Sequence, residues 1–126
     1  MKISSFFVTI LLGIFFFSCC SCSDKIDLTN AGIMSEYFVK ERLKNPDEVK
    51  FTGGYRGEQV SDTEFLVYQK VSTKNDFGVR KSMVYKIHMI YKGGDWAEQK
   101  NWTYDLLIIE EVDTGKQYKY YSPNDR

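Results

Sequence analysis

Three regimes of hydrophobic patterning divide the chain. Residues 3–17 are almost continuously apolar, from Ile3 through Phe15-Phe16-Phe17, with Lys2 ahead and Ser18-Cys19-Cys20-Ser21-Cys22 behind. From Thr29 to Lys44 the apolar positions recur at helical spacing. Ala31, Met34, Phe38, Val39 and Leu43 fall within one half of the circumference at 100° per residue. This predicts a helix capped by Thr29 or Asn30, with Lys40 and Lys44 at the negative end of its dipole. Asn45-Pro46 ends it, because the residue before proline is pushed out of the helical region. From Val49 onward the period becomes two.

The period-two region predicts four or five antiparallel strands. Val49-Lys50-Phe51 is a short one that stops at Gly53-Gly54. Glu64 to Ser72 carries Phe65, Val67 and Val71 on one face, with Leu66 and Tyr68 on the other. Val79 to Tyr91 alternates most clearly: Val79, Met83, Tyr85, Ile87, Met89 and Tyr91 against Arg80, Ser82, Lys86 and His88. Trp102 to Val112 places Trp102, Tyr104, Leu106 and Ile108 on one side, and Leu107 and Ile109 make its centre apolar on both. Asp113-Thr114-Gly115 reads as a tight hairpin turn into a last strand, Gln117 to Tyr121. The residues after Tyr121 fray. One helix followed by such strands buries its apolar stripe against the sheet, giving an α+β domain with the helix across a curved sheet.

The N-terminal regime changes where this domain is expected to work. One positive charge, a short apolar run and a small residue form an export signal. The run is short for a span, which takes about 20 residues of helix; an uncleaved signal anchor is the alternative. The segment resembles the bacterial lipoprotein "lipobox", and Phe16-Phe17-Ser18-Cys19 carries that resemblance best. Cys20 has a cysteine before it, and Cys22 has Cys19 where an apolar residue belongs. The resemblance implies cleavage before Cys19 and diacylglyceryl attachment to its thiol. Several acyl chains make a durable anchor where one is marginal. The expected organisation is therefore a signal peptide over 1–18, a lipidated cysteine and tether over 19–29, and a single domain over 30–126. The expected place is the bacterial cell envelope, on the outer membrane, with the domain outside the cytoplasm. Cys20 and Cys22 are acylation neighbours, free thiols or a loose local bridge.

Composition narrows the chemistry. The 126 residues hold three cysteines, all before residue 23, so no disulfide staples the domain. Nine tyrosines and two tryptophans, all beyond the leader, supply buried area instead. Seventeen basic residues balance seventeen acidic ones, and no basic stripe appears, so nucleic acid is not an expected partner.

No catalytic or metal-binding constellation emerges, and neither enzyme activity nor a cofactor is expected. His88 is the single histidine and falls on the polar face of a strand. Glu110 and Glu111 point to opposite faces; Glu64 or Asp105 facing another acid stays open. Arg42 projects into the apolar half of the helix and is expected to lie over the core rim and pair with a strand carboxylate. Phe77, in Thr73-Lys74-Asn75-Asp76-Phe77-Gly78, and Trp96, in Lys92-Gly93-Gly94-Asp95-Trp96-Ala97, are apolar residues in polar loops. Together with Tyr118, Tyr120 and Tyr121, they either close the core or form a contact surface.

Val39-Lys40-Glu41-Arg42-Leu43-Lys44-Asn45-Pro46, Phe51 and Asn75-Asp76-Phe77-Gly78 resemble a pattern in small uncharacterised bacterial and phage-associated lipoproteins. The resemblance implies a domain of this kind and no particular activity. The α-then-β order also resembles cystatin-like architecture, which carries no function with it. The expected function is that of a membrane-anchored lipoprotein whose domain binds a protein, as an interaction module or accessory subunit of an envelope complex. An inhibitor or immunity-type protein against a periplasmic enzyme is one alternative. A small-ligand carrier with a pocket between helix and sheet is another.

Overall fold

The structure, a computed structural model, describes residues 26–122. The expected signal, the acylation at Cys19, the roles of Cys20 and Cys22 and the fraying of 123–126 lie outside the described residues. Helix α1 (Leu28–Arg42) is followed by five strands: β1 (Lys50–Gln59), β2 (Glu64–Lys74), β3 (Arg80–Tyr91), β4 (Trp102–Glu111) and β5 (Gln117–Tyr121). They form one antiparallel sheet in sequential order, a meander that does not close into a barrel. Short 3-10 turns at Pro46–Glu48 and Gln99–Asn101 lead into β1 and β4. The α+β expectation of one helix on a five-stranded antiparallel sheet is met.

The helix starts earlier than its sequence suggests. Asp27 is the cap: its side chain accepts the Asn30 amide at 3.1 Å, and the Asn30 side chain accepts the Asp27 amide at 2.9 Å. Asn30 thus sits three residues inside, completing a reciprocal box in place of the usual glutamate. At the other end Leu43 leaves the helix and Asn45 takes a positive φ of 56° before Pro46. Ala31, Met34, Phe38 and Val39 are buried as the periodicity requires, and Gly32 and Ser35 join them. The helix packs on β1, β2 and β3.

The inner face of the sheet holds Phe65, Val67 and Val71 of β2 and Met83, Tyr85, Ile87 and Met89 of β3, all buried. Aromatic contacts tie the elements together: Phe38 of α1 meets Tyr104 at 5.2 Å between centroids, and within the sheet Phe51 meets Tyr85 at 6.2 Å and Phe65 meets Trp102 at 6.1 Å. Full burial of such a side chain contributes roughly 1.5–3 kcal/mol, so the core stands without covalent staples.

Two bulges separate the structure from strict alternation. In β1, Thr52 pairs with Lys70 and Arg56 with Tyr68, so Gly53, Gly54 and Tyr55 face Gln69 alone. Gly53 and Gly54 have φ of 82° and 71°, a region that side-chain-bearing residues disfavour. The glycine pair therefore kinks β1 where the pattern predicted its end, and the strand runs on to Gln59. In β4, Tyr104 pairs with Met89 and Leu107 with Ile87, leaving Asp105 and Leu106 both opposite His88. The extra residue shifts the phase. Trp102 and Tyr104 lie on the inner face, but so do Leu107 and Ile109, while Leu106 and Ile108 pair with outer-face residues. The expected grouping of Trp102, Tyr104, Leu106 and Ile108 on one side fails at this bulge.

Candidate functional site

The β2–β3 hairpin tip presents Phe77, the most exposed large apolar residue among those described, at 90%. Its loop is nonetheless well fixed. The Asn75 side-chain oxygen accepts the amides of Phe77 at 2.9 Å and Val79 at 3.0 Å. The Asn75 amide donates to the Val79 carbonyl, and the Gly78 amide to the Asn75 carbonyl. These bonds belong to an asparagine that closes a turn on itself. The base of the hairpin is tied to the end of α1: Lys44 Nζ meets Asp76 at 2.9 Å, the Asn45 side chain donates to the Lys74 carbonyl at 2.9 Å, and Thr73 donates to the Lys44 carbonyl at 3.1 Å. The Lys44 ammonium, by hydrogen bond and charge, holds the Asp76 carboxyl below its ordinary value. Val79 and Val112, both more than half exposed, lie at the same end of the sheet.

Trp96 differs. It is half-buried and packs against the core, and its carbonyl accepts the Trp102 indole N–H at 2.7 Å. The loop around it is further held by Tyr91, which donates to the Gly94 carbonyl, and by Asn101, which donates to the Asp95 carbonyl at 2.8 Å. Of the two loop rings singled out by sequence, one closes the core and one faces solvent. Tyr120 joins the core rim, Tyr118 donates to Glu111 at 3.0 Å, and Tyr121 points outward, 64% exposed.

Arg42 lies over the core rim as expected, but its partners are aromatic. The guanidinium sits 5.1 Å from the Tyr120 ring centre, and Nε donates to the Tyr104 hydroxyl at 3.1 Å. No strand carboxylate pairs with it among the described residues, which corrects the expected ion pair.

On the outer face His88 stands between two acids, Asp105 at 2.8 Å from Nδ1 and Glu64 at 3.2 Å from Nε2. With both carboxylates ionised, a ring protonated at one nitrogen can donate to only one of them. Ser61 donates to Glu64 at 3.1 Å and makes no hydrogen bond to the imidazole. The cluster clips β2, β3 and β4 together. Sequence placed the histidine correctly but left the acids unassigned, because the β4 bulge that brings Asp105 beside it is invisible to alternation. Among the described residues no group of three or more histidines, cysteines or carboxylates is arranged to hold a metal ion.

A buried polar chain crosses the helix–sheet interface. Ser35 Oγ is 2.9 Å from the Tyr85 hydroxyl, which donates to Gln69 Oε1 at 2.8 Å. Ser35 has one proton to divide between Tyr85 and the Gly32 carbonyl, 2.6 Å away. Burial pushes the Tyr85 phenol well above its usual range. Above this chain Tyr55, carried inward by the β1 bulge, lies against Gly32; burial and the adjacent Glu36 carboxylate push its phenol up to about 12. These groups lie between helix and sheet, where the small-ligand alternative would require its pocket.

A concavity of about 490 Å³ opens on the outer face. Tyr68, Val84 and Ile108 line it together with Arg56, Lys70 and Lys86, and the Gly53–Gly54 backbone forms one wall. No protein-family model, no curated protein and no solved structure matches this chain.

Proposed function

We propose that this chain is a membrane-anchored lipoprotein of the bacterial envelope whose domain works by binding a protein partner rather than by catalysis. The export-type leader ending in three cysteines supports the anchor, with Cys19 as its acylated residue. One observation carries the binding mode: Phe77 is held out to solvent on a hairpin whose backbone is already fixed. Exposed aromatic anchors dominate interface energetics. A loop ordered before binding loses little entropy on association, so more of the contact energy appears as affinity. Phe77 makes no core contact that would explain a phenylalanine there.

The test cross-links the tagged, lipidated protein in its native envelope, identifies the captured protein, and repeats the capture with Phe77→Ala. The expected result is one dominant partner, captured by the wild type and lost in the variant. The purified pair should form a saturable one-to-one complex. Phe77→Ala should melt within about 0.5 kcal/mol of wild type, as exposed positions do. Equal capture by wild type and variant rejects the hairpin as anchor; recovery of abundant lipoproteins alone rejects the binding reading. In the same strain, Cys19→Ser should release the protein from the membrane fraction.

A further inference from the structure

The outer-face concavity gathers three cations and one acid from four strands into one hollow, which the start of β5 also lines. Arg56, Lys70 and Lys86 line it, and none forms an ion pair among the described residues. Elsewhere Lys44, Lys74, Arg80, Lys81 and Lys100 each have a carboxylate within 4.0 Å, while Lys40, Lys50, Lys92 and Lys119 stand without one among the described residues. Within the concavity the one acid is Glu110, whose side chain takes a hydrogen bond from Gln117.

Register fixes the arrangement. Arg56 on β1, Tyr68 on β2 and Lys86 on β3 form one cross-strand row. Adjacent strands lie about 4.8 Å apart, so the backbones bearing Arg56 and Lys86 are separated by about 10 Å. Lys86 is held 5.5 Å from the Tyr68 ring centre, which orients its ammonium without neutralising it. Lys70 stands in the next row beside Val84. Tyr68, Val84 and Ile108 provide apolar surface between the cations. Farther along the same face the sign reverses: Glu58 pairs with Leu66, and Glu64 and Asp105 flank His88. That acidic half repels a long polyanion laid across the sheet, and the concave shape suits an enclosed ligand better than a flat bilayer.

From this we infer that the outer-face concavity binds a small molecule bearing two anionic groups on an apolar body, with Arg56 and Lys86 taking the anions. This site is separate from the Phe77 hairpin and does not depend on it.

A titration of the labelled protein followed by backbone amide shifts tests the assignment, with nonanedioate as probe. Nonanoate removes one anion, and succinate removes most of the apolar body. Expected are saturable shifts confined to β1, β2 and β3 around Arg56, Tyr68 and Lys86. Nonanoate and succinate should bind roughly tenfold more weakly or worse, as loss of a charge-assisted contact implies. Lys86→Gln and Arg56→Gln should each weaken nonanedioate by a similar factor, while Phe77→Ala leaves it unchanged. Both cations are on the surface, and an unchanged amide spectrum before titration confirms that each variant is folded. The inference is overturned by absence of saturation, by equal affinity for nonanoate, or by indifference to both cation variants. It is also overturned if phosphatidylglycerol vesicles bind this face and nonanedioate does not compete.

Discussion

Tyr85 shows how a single atom can set a stability limit. Its hydroxyl is buried between Ser35 and Gln69, and burial holds its proton more tightly than in the unfolded chain. A phenol raised on folding contributes stability that is complete below its unfolded value, near 10. That stability falls as the pH climbs toward the folded value, because the unfolded state sheds the proton first. Tyr55, raised to about 12 by burial and Glu36, acts in the same direction. Thermal melts between pH 8 and 12 should therefore show stability falling above about pH 10. Tyr85→Phe should flatten that fall. At neutral pH the same variant should cost about 1–3 kcal/mol, since Ser35 and Gln69 lose their buried partner. A profile as steep as wild type would show that this hydroxyl does not govern the alkaline limit. Residues such as Tyr85 were legible in sequence only as apolar strand positions. The rings at Phe77 and Trp96 looked alike there, because exposure depends on what the fold brings beside each loop: Trp96 packs against the core, and Phe77 meets solvent.

At the level of elements, alternation and helical spacing located α1, the cores of β2 to β5 and the start of β1, since burial on one face imposes them directly. What they missed were changes of phase. The β4 bulge moves Leu106 and Ile108 off the face that simple counting gives them, and the Gly53–Gly54 kink extends β1 beyond its expected stop. Each requires knowing the partner strand. The β1 kink also explains a glycine inside α1. A Cβ on Gly32 would lie 2.5–2.8 Å from ring atoms of Tyr55, closer than the ring can tolerate without moving. In a free helix Gly→Ala gains about 1 kcal/mol of propensity. Here Gly32→Ala should instead destabilise by about 1–3 kcal/mol, the cost of overpacking. In a Tyr55→Ala background the sign should reverse, and the same substitution should stabilise. Denaturant melts of the four proteins in a double-mutant cycle measure this coupling directly. Additive effects would mean the helix and the kink are not locked together.

At the scale of the molecule, charge is balanced in sum and divided in space. Arg56, Lys70 and Lys86 come from three strands and no run of sequence joins them, so the basic half of the outer face could not be read from the chain. The absence of a staple could be read, because no cysteine follows Cys22. Packing alone must then make the domain cooperative, and the geometry says how. Phe38 reaches from α1 to Tyr104 on β4, Phe51 on β1 reaches Tyr85 on β3, and Phe65 on β2 reaches Trp102 at the start of β4. These contacts tie α1 to the sheet and β1 to β4 to one another through the same cluster, so none of these elements can leave while the others keep all their contacts. A protein lacking residues 1–22 should accordingly unfold in one transition, as small single domains do. Tryptophan fluorescence reports the end of the sheet near Trp96 and Trp102, and far-ultraviolet circular dichroism reports α1 and the strands together. The two midpoints should coincide and should not move when reductant is added. A helix signal lost ahead of the tryptophan signal would place α1 outside the cooperative unit, and the Phe38–Tyr104 contact would then contribute little to holding the layers together.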